Sequence, residues 1–169
     1  MTPPVVSIVA KSGTGKTTLL EKLIAELKTR GYRVGAVKHD AHSFSIDHEG
    51  KDSWRLTRAG ADTMLITSPE KVAMVKQNPK DQEPELADTI ARYCGDLDII
   101  LTEGFKRSSM PKIEVSRKQR SERLLCRDEE HDPSLIAVAA DRPLELDVPV
   151  YDINDAAGLS DFIVKHFLT

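Results

Sequence analysis

Short strand-like runs alternate along the chain with stretches in which apolar residues return every three or four positions. The runs fall at Val5–Val9, Tyr32–Val37, Leu97–Leu101, Lys112–Ser116, Leu135–Ala140 and Val148–Tyr151. Most are apolar almost without interruption, as strands buried on both faces must be. The longest helical pattern follows the first run: Leu19, Leu20, Leu23, Ile24 and Leu27 share one stripe of a helix beginning at Thr18, and Gly31 supplies its stop. Alternation of this kind predicts an α/β fold, a doubly wound and mostly parallel sheet flanked by helices.

Between the second and third runs the pattern changes. Ser53–Ala59 reads as a short amphipathic helix, and Thr63–Ser68 and Lys71–Lys76 as two strands separated only by Pro69 and Glu70. So tight a break predicts a β-hairpin extension, expected at the edge of the main sheet. The polar interval Gln77–Glu85, with Pro79 and Pro84, is the best candidate for a mobile loop. Leu86–Tyr93 reads as a helix, and a final helix over Ala156–Leu168 takes its N-cap from Asn154 or Asp155.

A length of 169 residues with 40% apolar content suits one compact domain over residues 1–169. Met1-Thr2-Pro3-Pro4 leads into the first strand without a charged-then-apolar leader, and no uncharged apolar stretch approaches spanning length, so a cytoplasmic location away from membranes is expected. Cys94 and Cys126 stand in no metal-ligand or C-x-x-C spacing and read as ordinary reduced thiols.

The most specific chemistry lies between the first strand and the first helix, in Ala10-Lys11-Ser12-Gly13-Thr14-Gly15-Lys16-Thr17. A glycine-rich turn leaving a buried strand and entering a helix aims successive backbone N–H groups at a phosphate, which makes this a P-loop and the fold class that of a P-loop NTPase. Ser12, Gly13, Thr14, Gly15, Lys16, Thr17 and Thr18 are the expected nucleotide-binding residues. Lys16 reaches the β- and γ-phosphates and assists catalysis; the Thr17 hydroxyl joins a Mg²⁺ shell. Ala10 replaces the first glycine of the motif, and its methyl group is tolerable where φ stays negative.

Three further strand ends carry candidates. Glu103 closes the third run at the crevice where doubly wound folds bind ligands, and is assigned to the metal-water shell or to orienting an attacking water; Asp98 lies at the wrong end of the same run. Lys38, His39 and Asp40 close the second run, with Asp40 a candidate Mg²⁺ ligand, Lys38 a phosphate neutraliser and His39 a member of the same switch-like rim. The letters Val37-Lys38-His39-Asp40 imitate the Asn-Lys-x-Asp guanine signature, but guanine readers follow a late strand. Asp141 does follow one, and a carboxylate there matches the paired donors of guanine, which favours GTP over ATP.

Residues 105–127 hold eight basic side chains against Glu114 and Glu122, giving +6 in a chain of net charge −3. Such a stretch suits a phosphorylated substrate, an acidic protein face or a solvated loop. Nucleic acid is disfavoured, since Phe105 is the only interleaved aromatic.

Taken in order, Ala10–Thr18, Lys38-His39-Asp40, Gly50-Lys51-Asp52-Ser53 with Arg55, Ala59-Gly60-Ala61, Glu103-Gly104-Phe105-Lys106, Pro111–Val115, Arg117 and Asp141 resemble molybdopterin-guanine dinucleotide biosynthesis protein B over nearly the whole chain. The resemblance implies a GTP-binding accessory protein with at most slow Mg²⁺-dependent GTP hydrolysis. Its implied partner is the guanylyltransferase of the molybdenum cofactor, and homodimers are implied. Lys106, Lys112 and Arg117 then become charged residues able to meet molybdopterin or the nucleotide. Two readings remain. One is an adapter whose segments Lys38–Gly50 and Glu103–Arg107 respond to the γ-phosphate. The other is a P-loop kinase of a small metabolite, with Arg117–Arg127 as its lid.

Overall fold

The computed structural model describes residues 2–40, 44–79, 82–128 and 131–168. The chain divides into two compact units, residues 1–39 with 90–169, and residues 40–89.

The larger unit is built on a parallel sheet of β1 (Val5–Ala10), β2 (Val34–Lys38), β5 (Ile99–Glu103), β6 (Lys112–Ser116), β7 (Leu135–Ala140) and β8 (Val150–Asp152). Their spatial order is β2-β5-β1-β6-β7-β8. The first strand is therefore central, with β5 and β6 as parallel neighbours. Val6, Ile8 and Ala10 point to one face of β1, where they meet Leu19, Leu20, Leu23 and Leu27 of α1 (Lys16–Thr29) and Leu159 and Ile163 of α4 (Ala156–Phe167). That spacing of leucines is what lets α1 bury a single stripe.

Gly31, at φ 89°, ends α1 as expected. Its N–H donates to the Lys28 carbonyl and that of Tyr32 to the Leu27 carbonyl, at 3.0 and 3.1 Å, a Schellman closure requiring the left-handed conformation glycine takes freely. At the start of α4 the cap is Asp155, whose Oδ1 accepts from the Gly158 amide at 2.9 Å.

On the opposite face Val9, Leu135, Val138 and Ala140 are covered by Leu124 and Cys126, which sit in and beside a single 3₁₀ turn (Leu125–Arg127) between β6 and β7. Leu124 and Cys126 are thus packed onto the sheet, while Lys118, Gln119, Arg120, Glu122 and Arg123 of the same segment stay exposed. Every residue of β6 is buried: Ile113 and Val115 face the core while Lys112, Glu114 and Ser116 face away from it. Glu114 accepts from the Leu125 and Cys126 amides at 2.6 and 3.0 Å, fixing the turn at residues 124–126 against the strand's polar face.

In the smaller unit α2 (Asp52–Arg58) precedes an antiparallel hairpin of β3 (Thr63–Thr67) and β4 (Val72–Lys76), and α3 (Leu86–Tyr93) starts in this unit. The hairpin forms a sheet of its own, which corrects the expectation that it extends an edge of the main sheet. Most of its apolar residues are exposed, Leu65 by 55% and Val72 by 66%, while Met64 and Val75 are half-buried. Positions 41–43 of the expected switch segment and 80–81 of the expected loop lie outside the described residues.

Candidate nucleotide site

The phosphate loop has the geometry its glycines imply. Gly13 and Gly15 take φ values of 73° and 94°, conformations that side chains with a Cβ rarely adopt, and α1 begins at once with Lys16. The buried Thr14 hydroxyl donates to the Lys11 carbonyl at 2.8 Å, closing the turn from within. Ala10 is wholly buried as the last residue of β1, so its methyl group fills core rather than ligand space. Ser12 and Thr18 are exposed beside the loop.

Two predicted metal-shell residues come together here. The Thr17 hydroxyl donates to Glu103 Oε2 at 3.2 Å, across 86 positions of sequence. A hydroxyl and a carboxylate so placed at the first turn of α1 form a hard oxygen pair suited to Mg²⁺, with phosphate oxygens and water left to complete the shell. Burial pushes the Lys16 ammonium below its usual lysine value; Glu103 opposes that shift, while Lys106 and Lys38 reinforce it. Those four side chains therefore share one electrostatic neighbourhood. Lys38 is the register partner of Glu103 on β5, and the His39 amide donates to the Glu103 carbonyl at 3.0 Å. The His39 ring lies tilted against Phe105, their centroids 5.1 Å apart, and Phe105 follows Gly104 in a positive-φ pair, 104° then 52°. Asp40 opens the smaller unit.

On the other flank, Arg117 donates from Nε to the Thr14 carbonyl at 2.9 Å and so clamps the loop. Asp141 accepts from the Lys118 amide at 2.9 Å, a bond that holds its carboxyl below the usual carboxylate value. It borders an open cavity of about 420 Å³ at the ends of β7 and β8, lined also by Arg142, Pro143, Tyr151 and Asp152.

Lys112 is given different work from the substrate contact expected of it. Its side chain is only 2% exposed and its ammonium donates to Asp132 at 2.7 Å, to Ser134 Oγ at 2.8 Å and to the Ser108 carbonyl. A buried lysine whose three donors are all used has none left for a ligand. It lies in the wall of a larger cavity of about 690 Å³ that Lys106, Arg107 and His131 also line. The Cys126 thiol is inert, pushed up to about 12 by burial and then by the neighbouring Glu114.

Arg120 and Lys11 were not assigned from the sequence. Arg120 lies against Gly13, and Lys11 bonds Ser121 Oγ at 2.7 Å. The signal that finds them is pairing: once Ala10 is set beside Val115, residues just past β6 must emerge next to residues just past β1.

A central strand leading through a glycine loop into a helix, with an acidic strand end beside the loop's threonine, defines a protein of the P-loop NTPase fold. A family model described as molybdopterin guanine dinucleotide synthesis protein B matches residues 5–141, and the chain belongs to that family. It is 43% identical to the molybdopterin-guanine dinucleotide biosynthesis adapter protein of Escherichia coli K12, covering 96% of this chain and 92% of that one. The protein of that name from Haemophilus influenzae is 40% identical, covering 97% and 91%. The crystal structure of a molybdopterin-guanine biosynthesis protein B superposes with a TM-score of 0.77 at 27% identity, covering 98% of this chain and 99% of that one. A homolog structure from Bacillus stearothermophilus gives 0.70 at 26%, covering 96% and 97%.

Proposed function

We propose that this chain is a GTP-binding adapter that assists a guanylyltransferase in forming molybdopterin guanine dinucleotide, with weak intrinsic GTPase activity. The observation that carries the reading is the Thr17–Glu103 contact beside a loop whose two glycines hold positive φ. Residues 12–18 would hold the phosphates, and Thr17 and Glu103 would hold Mg²⁺; Asp40 is a candidate metal ligand on its sequence position alone. The metal, when bound, supplies charge neutralisation at the phosphates. Glu103 then orients water, while Lys16, with Lys38 nearby, offsets phosphate charge. Asp141 reads guanine from the rim of its cavity, and Lys106 and Arg117 lie on either flank of the loop. His39, in tilted contact with Phe105, links the rim of β2 to the loop after Glu103, which suits a segment that responds to the γ-phosphate.

The adapter names of the relatives support a partner enzyme, and molybdopterin is a further candidate ligand. The family match spans both compact units, which supports one functional domain over 1–169. A hairpin with exposed apolar residues on both faces suits burial in a homodimer, because an isolated two-stranded sheet is marginal in water. Among the described residues no helix is long and apolar enough to cross a membrane, and a cytoplasmic setting is part of the proposal.

One observation favours the kinase reading: the cavity beside Lys106 offers room for an acceptor. Against it, the would-be lid is tied down through Arg117, Lys118, Leu124 and Arg127, so it is part of the packed unit. Titration with GTP, GDP, ATP and ADP in Mg²⁺, followed by phosphate release, separates the two. Guanine-selective binding with slow, acceptor-independent release is expected. Adenine selectivity with acceptor-dependent ADP formation would overturn the adapter.

A further inference from the structure

Arg120 lies against the phosphate loop from a segment far away in sequence. A Cβ placed on Gly13 would lie 3.2 Å from Arg120 Cζ and 3.4 Å from its Nε and Nη2. The neighbouring Gly15 is approached the same way by Arg117, whose Nη2 would stand 3.5 Å from such a Cβ. Both glycines have positive φ, so the guanidiniums occupy space that bare backbone leaves open. The two arginines are joined through their own backbone, because the Arg120 amide donates to the Arg117 carbonyl at 2.9 Å.

Their bonding differs. Arg117 Nε is committed to the Thr14 carbonyl at 2.9 Å, whereas the Arg120 side chain makes no hydrogen bond or ion pair among the described residues. Neighbouring cations on the segment are paired: Arg123 with Asp128 at 3.2 Å and Arg127 with Asp147 at 2.8 Å. An exposed guanidinium lying beside Gly13 with no counter-charge among the described residues, on a loop that already bears Lys16, raises the local positive potential. A planar fork of donors with no acceptor among the described residues is matched by phosphate oxygens.

We infer that Arg120 is a polyphosphate-contacting arginine supplied in cis, and that Arg117 is the positioning residue that sets its turn on the loop. This rests on the nucleotide reading of the site and deepens it. Charge redistributes over the phosphate oxygens during γ-phosphate cleavage, and a guanidinium already in place stabilises it without a partner protein's arginine. No covalent step passes through Arg120.

The test compares wild type, Arg120→Ala, Arg120→Lys and Arg123→Ala for GTP affinity, single-turnover phosphate release and thermal unfolding. Arg120→Ala is expected to weaken GTP binding tenfold or more and to slow release, with an unchanged melting temperature. Lysine should restore part of the affinity, and Arg123→Ala, which removes the same charge from the same segment, should leave both readouts near wild type. Equal weakening in Arg120→Ala and Arg123→Ala would overturn the contact in favour of a general field. A loss matched by a lowered melting temperature and not rescued by lysine would overturn it in favour of a packing role. Tight wild-type binding with Arg120→Ala indistinguishable from it would sink this inference alone. Wild type that binds no triphosphate would sink the nucleotide reading, and this with it.

Discussion

The pairing of Lys112 with Asp132 decides whether the basic stretch is a ligand surface or a structural seam, and Asp132→Asn probes it directly. Burial disfavours the Asp132 charge, but hydrogen bonds from Lys112 and Ser134 outweigh that and hold its carboxyl at about 2, against an ordinary 3.8. Nearly two pH units correspond to about 2.5 kcal/mol of native-state preference for the ionised form. Because the Asp132 side chain is 26% exposed, solvent screening reduces this to about 1–2 kcal/mol. The folded value is depressed, so the contribution is fully present above the unfolded value near 4 and is lost as pH falls toward 2. Asparagine keeps an acceptor oxygen but leaves an ammonium that is 2% exposed without a counter-charge. Removing one partner of a buried pair costs about 3–5 kcal/mol, and the retained acceptor brings this to about 2–3.

Urea unfolding followed by circular dichroism from pH 7 down to pH 2 reads both effects. The variant should lose about 2–3 kcal/mol at neutral pH, and its stability should fall less steeply below pH 4 than that of wild type. A loss under about 0.5 kcal/mol, or acid limbs that superimpose, would refute the seam. Lys112→Met completes the test, because a seam lysine affects stability while nucleotide affinity of the folded protein stays unchanged. Loss of affinity at unchanged stability would return Lys112 to the ligand.

Glu103→Gln should keep GTP binding but slow Mg²⁺-dependent phosphate release about 10²-fold or more, as loss of a charged metal-shell and water-orienting group does; an unchanged rate would remove Glu103 from the chemistry. Asp141→Asn should erode the preference for GTP over ATP by about tenfold, equivalent to ~1.4 kcal/mol, and an unaltered preference would place the base reader elsewhere. Gly104→Ala forces a Cβ onto φ 104° and to within 3.3 Å of His39 Cβ, so it should destabilise by about 1–3 kcal/mol. A melting temperature equal to wild type would show that residues 104–105 relax without strain.

What the sequence shows and what it hides follow from how far each signal reaches along the chain. The phosphate loop is legible because strand, glycines and helix are contiguous, and Gly31 is legible because a Schellman closure is made within six residues. The hairpin strands are legible too, but not the sheet they join, since alternation says which residues share a face and not what lies beside it. The same limit explains Lys112. Lys112-Ile113-Glu114-Val115-Ser116 alternates as a half-exposed strand does, yet all five residues are buried. The difference is the cover: Leu124 and Cys126 pack on the sheet, Glu114 accepts from the Leu125 and Cys126 amides, and Lys112 pairs with Asp132.

A run of eight cations therefore resolves into distinct fates that composition treats alike. Lys112 is neutralised in the seam; Arg123 and Arg127 are paired with aspartates; Arg117 commits its Nε to the Thr14 carbonyl but keeps its charge. Arg120 is set against Gly13 with no acceptor among the described residues. Charge that the fold has already compensated contributes little attraction to an anion, so the number of cations in the stretch overstates its capacity for ligands. Arg117 and Arg120 beside the loop, neither within ion-pair distance of an acidic partner among the described residues, and the lysines grouped around Glu103 bring that attraction to the phosphate loop. Register is what concentrates it: the pairing of Ala10 with Val115 delivers the arginines, and that of Ile8 with Glu103 delivers the acid.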